Sequence, residues 1–316
     1  MEPVSSSIID TAPPLPPDTQ PLEHQIAGHF HGRSESKYGL LEQKSTGFVL
    51  KPFISAPRGP REHQFYVDVF SIHAPVEIQN LRPFLPTFFG LYEFAGMQYL
   101  TLENILKDFQ RPCIADVKIG RITYDSEAST EKKQKLKNNF PAAVDLGFQL
   151  CGWKTYRSTQ KKYIYHHKQC ARSIKKHEIS SALANFFGAP ESDHHPVVRD
   201  VIIRLRTLER VMSDLRGFTF LATSLLIVYD GAQHQSCTQS MPKVDVRLVD
   251  FAHVSTVNDE NGNPINQPDD NFIFGLRSYI DHLETIADDK FIYLPLERLN
   301  HNDPSNASSN CYTTFM

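Results

Sequence analysis

The spacing of apolar residues in the first third of the chain predicts short strands around one helix. Residues 47–53 and 98–102 are rich in aromatic, aliphatic and β-branched side chains, which is typical of strands. Between them, residues 61–70 follow a helical period. We therefore expect a strand-rich first lobe that carries one helix.

A longer helical pattern follows in the second half. From Pro196 to about Leu215, apolar residues recur at steps of three and four, so they form one stripe that belongs in a core. The arginines at 204, 206 and 210 fall between these positions, and we predict that they face solvent.

The last third returns to strands before ending in a helix. The runs 218–229 and 244–249 are predicted strands, with a polar loop at 231–242 between them. A final amphipathic helix carries Phe274, Tyr279, Ile280, Leu283 and Ile286.

Composition indicates a folded body with loose ends. The chain has 316 residues and 40% hydrophobic content, enough for a two-lobed core, and no apolar run approaches the length of about 20 residues that a membrane span needs. We expect residues 1–20, with the proline-rich run 11–18, to be a disordered tail, and residues 300–316 likewise. Docking of the proline run to a partner domain is the alternative.

The cysteines and the N-terminus indicate a reducing compartment. Five cysteines lie at scattered positions without a disulfide framework, and the first residues lack a signal-peptide pattern, so we expect the nucleus and cytoplasm. A possible zinc-ligand cluster matches no standard spacing, and we predict no metal there; its members are His166, His167, Cys170, His194 and His195.

The segment from Pro112 to Gly120 carries the most specific chemistry. Alternation along a strand would place Asp116 and Lys118 on one face. A carboxylate suits hydroxyl groups or a metal, an ammonium suits phosphate, and Gly120 would let the backbone approach a bulky anion. The segment suggests phosphoryl transfer, with an ordinary strand-end ion pair as the alternative.

A basic patch follows this segment. Residues 118–137 hold six basic and three acidic side chains, a local excess of +3 in a chain of net charge -3. Residues 129–141 are predicted to form a short helix on which Lys132 and Lys135 share a face, whereas Lys133 and Lys137 are expected to meet water. A pI near 6.5 and a single short helix argue against direct nucleic-acid binding.

Several motifs, in order, give the chain its resemblance to one family. The pattern Pro112-x-x-x-Asp116-x-Lys118-x-Gly120, together with the later Asp250-Phe-Ala-His253, is specific. The chain resembles the inositol polyphosphate kinase family from about residue 22 to 287. The other matching segments are 24–29 (HQIAGH), 49–51 (VLK), 57–62 (PRGPRE), 100–103 (LTLE) and 224–229 (SLLIVY).

The resemblance implies an α+β, two-lobed, protein-kinase-like fold with a short helical substrate-binding insert. An N-lobe over residues 21–105 would carry the nucleotide lysine and the hinge. A C-lobe over residues 106–299 would include the inositol-binding insert 121–147. The order of predicted strands and helices is compatible with this fold.

The resemblance also implies the nucleotide site. Lys51 would hold the nucleotide phosphates with Glu62 as its ion-pair partner, and Asp250 would hold Mg²⁺. Asn104 stands where family members commonly carry Asp, which leaves the ribose contacts open. The implied ATP-binding set is Lys51, Glu62, Glu103, Ile105, Asp116 and Asp250, and the implied catalytic set is Asp116, Lys118 and Asp250.

The resemblance implies that the phosphorylated substrate is held by Lys118, Lys132, Lys135, Lys154 and His253. The short insert favours the multikinases of the family, so we expect a monomer that uses ATP and Mg²⁺ to phosphorylate hydroxyls of inositol trisphosphate and tetrakisphosphate toward inositol pentakisphosphate. An inositol hexakisphosphate kinase that makes pyrophosphates, or a non-catalytic scaffold or transcription-associated protein, are the alternatives.

Overall fold

The computed structural model describes residues 14–26, 38–124, 128–140, 142–190, 193–232, 243–256, 265–288 and 290–296. The predicted tail at 300–316 lies outside these residues. Within them, no helix combines the length and apolarity that a membrane crossing requires.

The first lobe is built on an antiparallel sheet. Helix α1 (Arg58–Phe70) lies between its third and fourth strands in sequence and buries Phe65 and Tyr66 against Phe251 of the second lobe, with ring centroids 4.4 and 5.4 Å apart. The strands, in spatial order, are β1 (Thr19–Pro21), β2 (Leu41–Gln43), β3 (Val49–Pro52), β5 (Met97–Leu102) and β4 (Phe88–Phe94).

The second lobe is built on another antiparallel sheet, with β6 at its centre. In β6 the register places Asp116 opposite Leu226 on one side and Gly152 on the other. The strands, in spatial order, are β11 (Val244–Val249), β10 (Ser224–Asp230), β6 (Pro112–Ile119), β7 (Phe148–Arg157) and β8 (Lys162–His166). A separate two-stranded sheet pairs β9 (Phe218–Phe220) with β12 (Val254–Thr256).

Helices cover the second sheet, and their apolar stripes form the main core. The long helices α7 (His195–Asp214) and α8 (Asp270–Ala287) lie against each other, and both carry buried aliphatic residues along one face. The shorter helices are α2 (Val76–Gln79), α3 (Thr130–Asn139), α4 (Ala143–Leu146), α5 (Lys168–Ser173) and α6 (Ile179–Phe186).

The architecture confirms the predicted α+β fold with two sheets and a short helical insert between β6 and β7. The predicted helices at 61–70 and 196–215 correspond to α1 and α7. The proposed limits of the lobes remain predictions.

Two expectations from the sequence are wrong. The predicted strand 218–229 is divided between two sheets, because Ala222 adopts a left-handed backbone (φ 57°) that interrupts the extended chain. The disordered tail was predicted over residues 1–20, but β1 already begins at Thr19. This residue is buried and donates a hydrogen bond of 2.6 Å to the carbonyl of Pro16. The prediction erred because an extended segment can pair as the edge strand of a sheet as well as form a free tail.

Two of the three α7 arginines predicted to face solvent, Arg204 and Arg206, form ion pairs near the surface. Arg206 bonds Glu209 at 2.9 Å and Glu284 at 2.7 Å, and Arg204 lies 3.4 Å from Asp245. These pairs join α7 to α8 and to β11 across the surface, where each contributes little to stability.

Candidate functional site

Lys51 joins the two lobes at the mouth of the site. Its Nζ donates to Glu62 Oε1 at 2.7 Å and to Asp250 Oδ1 at 2.6 Å. Glu62 is buried on α1, and the same oxygen accepts the backbone N–H of Phe251 at 3.1 Å. The predicted ion pair between Lys51 and Glu62 is therefore present. Lys51 forms a second ion pair with Asp250.

Burial and neighbouring charges shift the pKa values of Lys51 and Asp250 in opposite directions. Burial alone would lower the pKa of Lys51, but the carboxylates of Asp250 and Glu62 outweigh it and raise that pKa above the usual lysine value. Loss of hydration alone would raise the pKa of Asp250. The ammonium of Lys51 outweighs this effect, with smaller contributions from Lys118 and His253, so the pKa of Asp250 is lowered. Both side chains are thus charged at neutral pH.

Asp250 is held in an unusual backbone conformation. It follows β11 with φ 68°, in the left-handed region that residues other than Gly rarely adopt, and its carbonyl accepts a hydrogen bond of 3.3 Å from Thr223 Oγ1. Half of its side chain is accessible, at 52%. Strained conformations of this kind cluster at functional sites, and here the strain aims a carboxylate into the cleft between the sheets.

Asp116 and Lys118 lie on β6 beside Asp250, as the alternation predicts. Burial, followed by the charge of Asp250, raises the pKa of Asp116 to about 6, whereas Lys118 lowers it. Asp116 Oδ1 is buried and has no hydrogen-bond partner within the described parts of the chain. A buried carboxylate oxygen without a hydrogen-bond partner is energetically unfavourable unless a ligand or a cation contacts it.

The predicted hinge is anchored by side chains as well as by backbone. Glu103 accepts hydrogen bonds from Thr87 N at 3.0 Å and Thr87 Oγ1 at 2.8 Å, and it lies 3.4 Å from the guanidinium of Arg247. Its own N–H donates to Thr87 O at 2.9 Å. The backbone N–H of Glu103 therefore already has a hydrogen-bond partner within the protein. The predicted contacts of Glu103 and Ile105 with adenine remain predictions.

Asn104 and Ile105 continue the hinge. The Asn104 amide donates to Glu42 Oε1 at 3.2 Å and accepts from Leu106 N at 3.1 Å, so it has a structural partner where the family commonly has an acid. Ile105 packs against the small cluster of Ile26, Ile114 and Val228 on one face of the second sheet.

The insert contains the predicted lysine helix. Helix α3 covers Thr130–Asn139, and the side chains of Lys132, Lys135 and Lys137 lie outside what the structure describes. Lys133 was expected to meet water, but it is half-buried and its Nζ lies 5.9 Å from the ring centroid of Tyr124. The aromatic ring supplies a partner that helical spacing alone did not reveal.

Lys154, which the resemblance assigns to substrate binding, is surrounded by aromatic side chains. It is fully buried, contacts the ring of His24, and lies 4.0 Å from the ring centroid of Tyr163 and 5.4 Å from that of Tyr165. Burial lowers its pKa to about 7. These aromatic rings pack on the Lys154 side chain, and its implied contact with the substrate remains a prediction.

Among the residues considered for zinc, His166 Nδ1 lies 3.9 Å from Cys170 Sγ, and the ring centroids of His194 and His195 lie 4.5 Å apart. His166 stacks on Trp153 with a centroid distance of 4.4 Å, whereas His194 Nε2 lies 3.0 Å from the carbonyl of Ile286. Among the residues that the structure describes, no group of three or more His, Cys, Asp or Glu side chains could hold a metal by itself.

Two residues that the sequence did not single out support the site. Arg247 reaches from β11 to the carbonyl of Leu85 at 2.7 Å as well as to Glu103, and Asn271 of α8 bonds the backbone of Ile122 in the insert. Alternation in β11 buries Val244, Val246 and Leu248. From this alternation the sequence could predict that Arg247 faces away from the main core. It could not predict which groups the guanidinium contacts.

Comparisons with known proteins agree with this geometry. The sequence profile of a family described as inositol polyphosphate kinase matches residues 99–284, more than half of the chain. The chain is 33% identical to the rat inositol polyphosphate multikinase over 224 residues, covering 70% of this chain and 56% of the relative. The human inositol polyphosphate multikinase is 33% identical over 223 residues, covering 69% of this chain and 53% of the relative. The chain thus spans about half the length of the curated relatives it matches.

A solved structure shares the fold. The crystal structure of the inositol phosphate multikinase Ipk2 from S. cerevisiae, in complex with ADP and Mn²⁺, is similar at a TM-score of 0.61 and 25% sequence identity. The match covers 76% of this chain and 99% of the yeast chain. From the profile match, the relatives and the shared fold, we conclude that this chain belongs to the inositol polyphosphate kinase family.

Proposed function

We propose that the protein is an ATP-dependent inositol polyphosphate multikinase, which phosphorylates hydroxyls of inositol trisphosphate and tetrakisphosphate toward inositol pentakisphosphate. One observation carries the proposal. Folding brings Lys51 and Asp250, which are 199 residues apart, into direct contact beside Asp116 and Lys118. Phosphoryl transfer depends on such positioned charges more than on covalent chemistry by the protein.

Each member of the site has a role in this proposal. Lys51, held by Glu62, binds the nucleotide phosphates, and the hinge at Glu103 and Ile105 receives the adenine. Lys118 lies on the same strand face as Asp116, and its ammonium neutralises charge that develops as the γ-phosphoryl group leaves the nucleotide. His253, whose charge acts on Asp250, borders the substrate side.

The residues present fit a divalent cation. Asp250 offers an ionised, half-accessible carboxylate, and the buried Oδ1 of Asp116 has no partner within the described residues. We propose that Asp250 holds Mg²⁺, which would neutralise negative charge on the nucleotide phosphates. The yeast structure contains Mn²⁺, so a divalent cation in a family member supports this proposal.

The choice within the family rests on similarity and insert length. The multikinases reach 33% identity over 70% of the chain, whereas the mouse inositol hexakisphosphate kinase 3 reaches 29% over 60%. The short insert carries one lysine helix, on which we assign Lys132 and Lys135 to substrate phosphates. We propose a monomer that acts in the nucleus and cytoplasm; the free thiols of the described cysteines, Cys113, Cys151 and Cys170, are compatible with a reducing compartment.

The test is a direct assay with separated products. Purified protein, ATP and Mg²⁺ are incubated with an inositol trisphosphate, and the product isomers are resolved. We expect sequential formation of tetrakis- and pentakisphosphate. Formation of pyrophosphates from inositol hexakisphosphate alone would indicate the hexakisphosphate kinase, and no transfer to any inositol phosphate would favour the scaffold.

A further inference from the structure

The substrate insert leaves the second sheet through a narrow neck. The neck consists of Gly120 at the end of β6 and Gly147 at the start of β7, joined by a hydrogen bond of 2.7 Å from Gly120 N to Gly147 O. The lysine helix α3 lies between these two glycines in sequence. The neck holds this segment together with Phe140, Ala143 and Leu146, which the insert buries in the main core.

The first turns of α8 lie directly against this neck. The side chain of Asn271 bonds both backbone groups of Ile122, accepting from its N–H at 2.9 Å and donating to its carbonyl at 3.1 Å. One amide side chain thus takes the place of a neighbouring strand for the first residues of the insert. Beside it, the guanidinium carbon of Arg121 lies 3.4 Å from the ring centroid of Phe274.

Glycines permit this close approach. A Cβ on Gly275 of α8 would lie 2.0 Å from the carbonyl oxygen of Gly147, and a Cβ on Gly147 would lie 2.6 Å from the ring of Phe274. Gly147 also has φ 72°, a left-handed conformation that favours glycine. The backbone of the neck therefore rests on the helix itself.

Helix α8 is a rigid support. Its N-cap residue Asp269 accepts from Phe272 N at 3.0 Å and from Phe220 N at 2.6 Å, which ties the helix start to β9. The rest of the helix buries an apolar stripe in the main core. The neck is therefore attached to a helix that is packed in the main core.

We propose that Asn271 is a positioning residue for the inositol phosphate: through Ile122 it sets the angle at which the insert presents its lysines to the phosphoryl-transfer site. This inference rests on the proposed function. The Asn271 side chain bonds the backbone of Ile122, so in this proposal it acts through the backbone of the insert. Its loss should therefore weaken substrate binding while leaving the nucleotide side intact.

The test compares Asn271→Ala with wild type and with the exposed neighbour Asp270→Ala, which alters the same turn without contacting the insert. The probes are an inositol trisphosphate and ATP. We expect Asn271→Ala to raise KM for the inositol phosphate about tenfold, since two hydrogen bonds are lost, with KM for ATP and the thermal midpoint little changed. Asp270→Ala should match wild type.

A second variant keeps the test informative. Gly275→Ala inserts a methyl group against Gly147 and should raise the same KM more strongly, with reduced stability. If Asn271→Ala keeps the wild-type KM for the inositol phosphate, or raises both KM values equally, the positioning role is wrong. If wild type itself transfers no phosphate, the proposed function fails, whereas an active wild type with an unaffected Asn271→Ala overturns only this inference.

Discussion

The nucleotide side and the substrate insert are held in different ways. Around the nucleotide site, charged groups cross-link both lobes: Lys51 joins β3, α1 and Asp250, and Arg247 joins β11 to the hinge. The insert is attached at its neck by Asn271 and Gly275 and through apolar residues of its second half that are buried in the main core. Its ion pair between Asp145 and Lys176 is exposed. In the proposed function, the cross-linked side would fix the γ-phosphoryl group and the helix of the insert would select the acceptor.

The comparison has a physical basis in burial. Ion pairs with little solvent access depend strongly on geometry, because an unpaired charge at the same place is costly. Lysines on a short helix near water tolerate change more easily, because solvent and salt replace part of each contact. We therefore expect substitutions on the nucleotide side to affect catalysis most, and those on the insert to affect substrate affinity.

The largest effect is expected at Asp250. Asp250→Asn removes the charge that would hold the cation and should lower kcat by about a hundredfold or more, while the fold survives because the amide is isosteric. Steady-state kinetics and a thermal melt check both parts. Turnover close to wild type would remove Asp250 from the mechanism.

Lys118→Ala should also abolish most transfer, by on the order of a hundredfold, with ATP binding retained. The reason is that its ammonium acts mainly on charge that develops during transfer. The measurement is nucleotide binding by calorimetry beside kcat. An equal loss of ATP affinity and activity would instead make Lys118 a nucleotide anchor.

The insert lysines test the other side of the comparison. Replacing Lys132 and Lys135 together by Ala should raise KM for the inositol phosphate, at about 1–3 kcal/mol for each partly desolvated contact, with KM for ATP little changed. The matched control replaces Lys133 and Lys137, which removes the same charge from the same helix and should have a smaller effect that salt diminishes. Equal effects would indicate a diffuse electrostatic patch instead of individual ligands.

Arg247 tests whether the hinge depends on its cross-link. Arg247→Met removes the contacts to Leu85 and Glu103, and charged hydrogen bonds of this kind are worth about 1.5–3 kcal/mol, so KM for ATP should rise about tenfold. The control is Arg204→Met, which loses a contact to Asp245 but none to the hinge. An increase confined to the inositol phosphate KM would contradict a role on the nucleotide side.

The smallest effect concerns stability at Lys154. Its pKa in the folded protein, about 7, lies below the ordinary 10.5, so between these pH values the unfolded chain binds more protons and the free energy of unfolding rises with pH. From pH 7.5 to 9, wild type should gain on the order of 1 kcal/mol relative to Lys154→Met, measured by urea unfolding. Parallel pH dependences for the two proteins would show that Lys154 does not titrate in this range.

Much of the site could be predicted because its motifs are local. The spacing of Asp116 and Lys118 on β6 needs only alternation, and the stripe on α7 needs only helical periodicity. Strands β7 and β8 were not predicted, although they lie beside β6 in the second sheet. Their polar and aromatic mixture, with Lys154 fully buried, does not follow a simple alternation of apolar and polar residues.

The sequence by itself determined the family motifs, the long helices and the charged pair on β6, because each depends on residues a few positions apart. Only the tertiary structure decided that Lys51 meets Asp250, that Arg247 meets Glu103, and that Asn271 holds Ile122, since these partners are 199, 144 and 149 residues apart. It also decided that Lys154 is buried among aromatic rings. Local periodicity specifies which face of an element is apolar, whereas the packing of distant elements decides which polar groups meet.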